Sequence, residues 1–343
     1  MRILFFISRS YSIPIVQPLI KELKNKEIDY RVIQTMKTPP EFVTIIDQKN
    51  LISDIQEAIR FNPDFVIIPG NFVHPDIPGI KVEIFHGIGV EKPSHYKIRH
   101  FFDVYCTSGP YVTKRFKELQ QKYGYFLVRE TGWLKVDHIL NYPVSDLHTK
   151  FQLPENSDIV LYAPTCSRRM HSAKALLKIM PEIIAENEVW LIKFHELMDK
   201  KIIKKYQELN DSRVRIIKNH DITPYLHLAN VLISDTSSVV YEFLILNKPV
   251  ITYRTRKLKD KCDNINRISE LRNVLNKCLN YPDRKKTART QYLDQINPYL
   301  DGKTSERILK VLKSLHREGF SPAGHKPKNL LRTRIIKRNS KND

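Results

Sequence analysis

Glycine is scarce in this chain, ten residues among 343, and none completes a G-x-G-x-x-G pattern behind an apolar run. The loop S-R-S-Y-S-I-P at 8–14, which follows the first such run, has no glycine at all. A nicotinamide or flavin dinucleotide on a glycine-rich turn is therefore not indicated, and no cofactor is expected. Cysteine is also sparse. Cys106, Cys166, Cys262 and Cys278 show no C-x-x-C spacing, so they read as reduced packing residues and no metal site is expected. No stretch approaches the roughly 18 consecutive apolar residues of a membrane-spanning helix. The opening M-R-I-L-F-F-I-S is too short, and lacks the small-residue cleavage site, for a signal peptide. The expectation is a cytoplasmic protein, or one held peripherally on the inner face of the cell membrane.

Acidic residues are in short supply: 37 Asp and Glu stand against 57 Lys and Arg, a formal net charge of +20. That balance calls for an anionic partner, whether nucleic acid, anionic lipid or a polyphosphate substrate. Residues 254–289 carry twelve basic residues against four acids, and 321–343 carry seven against one. The last stretch also holds Leu330, Leu331, Ile335 and Ile336, a mixture that suits an anionic bilayer surface at about 1 kcal/mol per basic residue. A solvated tail is the plainer reading. Nucleic acid is not expected, because no recognisable nucleic-acid module appears and the basic residues are not interleaved with stacking aromatics.

What the chain does have is a regular alternation of short apolar runs and helix-length amphipathic segments. Runs at 3–7, 30–33, 65–69, 82–85, 103–107 and 126–130 read as strands, with helices at 13–24, 51–60 and 111–122 between them. A polar stretch at 143–158 holding Pro143 and Pro154 reads as a boundary. A second series follows, with strands at 159–162, 189–193, 214–217, 231–233 and 250–253 and helices at 173–185, 199–209, 222–228 and 239–246. Such alternation predicts an α/β protein of two Rossmann-like, parallel-sheet domains facing a cleft. The expected division is a first domain at 1–145, a second at 146–315 and a basic tail at 316–343.

In open parallel sheets ligands sit beyond the carboxyl ends of the strands. His86, Thr165 to Arg169, His195, His220 and the pair Ser237-Ser238 all follow predicted strands. A single histidine there is more often a satisfied turn residue, but three such positions are harder to dismiss. The stretch V-L-I-S-D-T-S-S-V-V-Y-E-F at 231–243 reads as strand, polar elbow and helix. Paired serines at a helix start present hydroxyls and unused N–H groups to an anion such as phosphate. The simpler alternative is that Asp235, Ser237 and Ser238 cap the helix. Arg168 and Arg169 suit a pyrophosphate by bidentate bonding, or are plain surface charge.

The ordered set F-H-G at 85–87, T-G-W-L-K-V-D at 131–137, Y-A-P-T at 162–165, K-F-H at 193–195, N-H-D at 219–221, S-D-T-S-S-V-V-Y-E-F at 234–243 and D-G-K-T-S-E-R at 301–307 resembles the CDP-glycerol glycerophosphotransferases of teichoic acid synthesis. The resemblance spans roughly residues 80–310 and implies the two-domain glycosyltransferase-B type of fold, with the first domain as the acceptor side and the second as the nucleotide-donor side. It also implies a transferase that moves glycerol phosphate, or another polyol phosphate such as ribitol phosphate, from a CDP-activated donor to an acceptor hydroxyl in cell-surface polymer synthesis. By the same resemblance His86 is the candidate general base and His220 a second catalytic residue. His195, Ser237, Ser238, Thr165, Arg168 and Asp235 are candidates for binding the donor. The implied partners are a CDP-polyol, a lipid-linked or polymer acceptor, and an anionic membrane surface.

Departures from the family pattern are Phe85 before His86, Ile88 and Gly89 where Thr-Pro is usual, Glu196 where proline follows the histidine, and Cys166-Ser167 before Arg168. Two other readings stay open: a glycosyltransferase or UDP-sugar 2-epimerase of the same architecture, with Glu242 behind the elbow, and a non-catalytic protein that binds anionic polymers.

Overall fold

The structure, a computed structural model, describes residues 1–35, 45–167, 171–328 and 333–334. The chain forms two compact units, one of residues 1–141 together with the chain from Gln295 onward, the other of Tyr142–Asp294. Each is built on one parallel sheet.

The first sheet holds β1 (Ile3–Ile7), β2 (Tyr30–Gln34), β3 (Leu51–Ile52), β4 (Phe65–Ile68), β5 (Ile80–Glu83), β6 (Val104–Thr107) and β7 (Leu127–Glu130) in the order 3-2-1-4-5-6-7. β1 and β4 are the pair at which the chain's winding reverses, so a crevice opens beyond their carboxyl ends. The strands are buried on both faces, which is why they read as near-continuous apolar runs.

The sequence placed a helix over 51–60. Instead Leu51 and Ile52 pair with Val32 and Ile33 as an edge strand, and the helix runs only over Ile55–Phe61. Asp54 stops it extending backwards, since its carboxylate accepts from the Glu57 N–H and fixes an N-cap there. The strand expected at 82–85 also shifts, ending at Glu83. Phe85 lies in the left-handed region with φ of 55°, a conformation no strand accommodates.

The second sheet holds β8 (Asp158–Tyr162), β9 (Glu188–Ile192), β10 (Val214–Ile216), β11 (Val231–Ser234), β12 (Val250–Tyr253) and β13 (Asp263–Ile265) in the order 10-9-8-11-12-13. Its winding reverses between β8 and β11, which puts the loops at 163–167 and 235–238 side by side.

The end of the chain departs from the sequence-based division. The helix Thr304–Glu318 inserts Ile308, Leu309, Leu312 and Leu315 into the core of the first unit, among Ile3, Leu19 and Ile67. Its start is capped by Asp137, whose carboxylate accepts from the Thr304 N–H at 2.9 Å, the Ser305 N–H at 2.7 Å and the Ser305 hydroxyl at 2.6 Å. These bonds connect the T-G-W-L-K-V-D and D-G-K-T-S-E-R stretches as scaffold. The basic segment at 321–343 begins tied down: Lys326 pairs with Asp103 at 2.6 Å and Gly324 N–H donates to the Gly124 carbonyl. The apolar residues read there as membrane-facing, Leu330, Leu331, Ile335 and Ile336, lie outside the described residues. Among the described residues no helix is long and apolar enough to cross a membrane.

Candidate functional site

In the first unit the site is built around His86. Its Nδ1 lies 3.1 Å from the Pro69 carbonyl, at the end of β4. A carbonyl only accepts, so Nδ1 carries the proton and the neutral ring keeps its lone pair on Nε2. Tyr11, from the loop after β1, sets its ring 5.7 Å from the imidazole. Loops following β1, β4 and β5 thus converge at the crevice end of the sheet.

The strained residue before His86 is held from two directions. Trp133 donates its indole N–H to the Phe85 carbonyl at 3.0 Å, and the Phe85 ring packs on His95 at 4.9 Å and Phe116 at 5.3 Å. Left-handed backbone at a non-glycine residue costs of order 1–3 kcal/mol and persists where its surroundings over-determine it. Here they fix the direction in which His86 leaves the sheet. His95, which sequence reading passed over, is brought down to about 3 by burial, with the charges of His86, Arg99 and Lys92 adding to the effect. It is a neutral ring beside the candidate base at any physiological pH.

In the second unit the two loops at the winding reversal are joined by Asp235, which is 1% exposed. One carboxylate oxygen accepts from the Thr165 N–H at 2.8 Å; the other accepts from the Ser172 N–H and the Ser172 hydroxyl, both at 2.9 Å. With both oxygens occupied by protein donors, Asp235 holds the loops in place. Its bonds to Thr165 and Ser172 are those of a positioning residue. Thr165 is buried and anchored through its N–H. Arg168 lies outside the described residues.

Ser237 and Ser238 follow on the elbow, both half-buried. The helix behind them is only Val239–Leu244, and Ser238 makes no side-chain capping bond to it. The capping alternative is therefore not realised at Ser238. So short a helix adds little dipole, and the elbow presents the serine hydroxyls at its start.

The remaining histidines lie past β9 and β10. His195 is exposed, and its Nδ1 accepts from the Leu197 N–H at 3.1 Å. His220 is half-buried, with Nδ1 2.9 Å from a Glu196 carboxylate oxygen. The structure thus brings together Thr165, Ser172 and Asp235 in one cluster and His220 with Glu196 in another. Glu196 stood out in the sequence only as a departure from the family pattern. Among the described residues no cluster of three or more metal-ligating side chains occurs.

The basic segment at 254–289 is partly internal. Arg272 pairs with buried Glu188 at 2.7 Å, Arg284 with Asp263 at 2.6 Å, Arg289 is buried against Asn247 and Pro282, and Lys261 is buried between Tyr241 and Tyr292. Charge used this way holds the unit together, which weakens the polymer-binding alternative.

The family model for CDP-glycerol:poly(glycerophosphate) glycerophosphotransferases matches residues 92–259. That segment contains Thr165, His195, His220 and the Ser237-Ser238 elbow, and begins just after His86. A teichoic acid glycerol-phosphate primase of Bacillus spizizenii is 24% identical over 278 residues, covering 71% of this chain and 68% of that protein. The wall teichoic acid polymerase TagF shares the fold with a TM-score of 0.67 at 14% identity, covering 92% of this chain and 89% of that one. A putative UDP-N-acetylglucosamine 2-epimerase from Listeria monocytogenes gives the same TM-score and identity, over 95% and 98% of the two chains. At 14% identity the two structures establish a common glycosyltransferase-B-like fold and nothing finer. The family model discriminates where the fold does not, because it matches the sequence across Thr165, His195, His220 and the Ser237-Ser238 elbow. The chain thus carries, over residues 92–259, the sequence of the CDP-glycerol:poly(glycerophosphate) glycerophosphotransferase family.

Proposed function

We propose that this enzyme transfers glycerol phosphate, or a related polyol phosphate, from a CDP-activated donor to a hydroxyl of a teichoic-acid-type polymer or its lipid-linked primer, and releases CMP. The acceptor oxygen attacks the distal phosphorus of the donor. The bond from that phosphorus to the bridging oxygen breaks, its electron pair leaves with CMP, and the acceptor proton passes to His86 Nε2. Ser237, Ser238, His195 and His220 bind the diphosphate and stabilise the charge that grows on the bridging oxygen. Asp235 and Thr165 hold the loop that carries the serines. A lipid-linked acceptor places the reaction at the inner membrane face, with the basic end of the chain as the attachment segment.

The observation that carries this reading is the bond from His86 Nδ1 to the Pro69 carbonyl, which leaves Nε2 as the basic nitrogen a general base requires. His86→Ala is expected to lower the rate of CMP formation from CDP-glycerol by about 10²–10⁴-fold while CDP-glycerol binding, measured by calorimetry, stays within about 2-fold of the parent. A parental rate overturns the role of His86.

The epimerase reading has the shared fold in its favour. Competition between CDP-glycerol, CDP-ribitol and UDP-N-acetylglucosamine decides it, tighter binding of the UDP-sugar favouring the epimerase.

A further inference from the structure

We infer that Glu196 is a positioning residue for His220, fixing which nitrogen of that ring meets the donor; this rests on the donor-binding reading above. The turn that carries His220 is braced on both sides. Asn219 accepts from the Tyr225 hydroxyl at 2.9 Å, and Asp221 accepts from the Thr223 N–H at 3.0 Å and the Thr223 hydroxyl at 2.7 Å. Asp221, the nearest acid in sequence, braces its own turn through these bonds. The carboxylate that reaches the His220 ring is instead Glu196, 24 residues away and 2.9 Å from Nδ1.

An ionised carboxylate only accepts, so Nδ1 of His220 carries a proton and Nε2 is the ring nitrogen that Glu196 does not engage. The same logic gives His195 the opposite form. Its Nδ1 accepts from the Leu197 N–H, so in the neutral ring the proton sits on Nε2. Two histidines on neighbouring strand ends are thus set in complementary states. His195 presents a donor at Nε2. His220 presents an Nε2 whose protonation produces an imidazolium balanced by Glu196, the relation that makes a carboxylate–histidine pair able to stabilise a developing anion.

The pair is not there for stability. The side chains of His220 and Glu196 are 33% and 27% exposed, and a pair so open to solvent contributes little to folding. Glu196→Gln keeps the shape and an oxygen acceptor for Nδ1 but removes the charge. Glu196→Ala removes both.

The test uses the full chain labelled with [¹⁵N]histidine, the His220 signals being assigned by comparison with His220→Ala, together with steady-state CMP formation from CDP-glycerol. His220 in the parent is expected to show a protonated Nδ1, retained in Glu196→Gln and lost to a tautomer mixture in Glu196→Ala. In Glu196→Gln kcat is expected to fall about 10- to 100-fold, the usual cost of removing the orienting partner of a functional histidine, with KM changing less than about 3-fold. An unprotonated Nδ1 in the parent, or a parental kcat in Glu196→Gln while His220→Ala is impaired, overturns the inference alone. A parental rate in His220→Ala removes the donor-side role of His220, and this inference with it.

Discussion

Replacing Asp235 with asparagine separates a residue that holds loops from one that touches substrate. The carboxylate accepts three bonds from buried donors, Thr165 N–H, Ser172 N–H and Ser172 Oγ–H. In Asp235→Asn the remaining oxygen satisfies Thr165, but the new amide nitrogen faces the Ser172 N–H, donor against donor. The Ser172 hydroxyl adapts by turning to Tyr162 Oη, 2.8 Å away. What remains is one buried N–H without an acceptor, about 1–3 kcal/mol, and two bonds that lose charge assistance, about 1 kcal/mol each. The sum, about 3–5 kcal/mol, is a large part of the stability of an ordinary domain. Each unit holds one of the two tryptophans, both fully buried, Trp133 in the first and Trp190 in the second, so urea unfolding followed by fluorescence reports on them separately. With a urea slope of about 2 kcal/mol per molar, the Trp190 midpoint is expected to fall by about 2 M while the Trp133 transition stays in place. A parental Trp190 midpoint together with lost CDP-glycerol binding refutes the positioning role and returns Asp235 to the ligand.

Three further outcomes are expected. Ser237→Ala and Ser238→Ala each lower kcat for CMP formation by about 10²–10³-fold, as loss of a preorganised donor does, with the urea midpoints unchanged. Glu83 is buried, and burial holds its carboxyl well above the usual value of 4.5, with the charge of Arg99 acting against the shift. Folding therefore takes up a proton at Glu83 once pH exceeds about 4.5, and stability falls as pH rises from there. Glu83→Gln removes that uptake and is expected to raise stability near pH 7, the gain shrinking towards pH 4.5 in urea titrations at several pH values. Gly132 sits at φ of 91°, where an added Cβ meets Thr304 Oγ1 at 2.9 Å and Tyr299 Cβ at 3.0 Å. Gly132→Ala is expected to lower the Trp133 midpoint by the equivalent of about 2 kcal/mol or more.

The strands of both sheets were legible because parallel strands covered on both faces read as short apolar runs between turn residues, as Ile159 to Tyr162 and Val231 to Ile233 do. Leu51 and Ile52 misled because two apolar residues ahead of a helix carry no periodicity of their own. Their pairing with β2 is a tertiary fact. The helix Thr304–Glu318 has an evident apolar stripe, but a stripe does not say which core it joins. That choice is made by Asp137, 168 residues from Ser305.

The site divided in the same way. That His86, His195, His220 and the serines follow strands was legible in the sequence. The chemistry of each ring depended on partners that spacing does not reveal, the Pro69 carbonyl, the Leu197 N–H and Glu196. The bonds of Asp235 to Ser172 were not legible, since nothing in the sequence joins the two.

The return of the last long helix to the first sheet has a consequence for biogenesis. As the polypeptide leaves the ribosome, the stretch 142–294 is contiguous and complete before Ile308, Leu309, Leu312 and Leu315 have been translated. The amino-terminal sheet must wait with an open hydrophobic flank until that final segment arrives. Newly made protein is then most exposed to chaperones and proteases during a defined interval of translation, and any nonsense mutation between 295 and 304 strips the earlier-made half of its cover while sparing the later-made one.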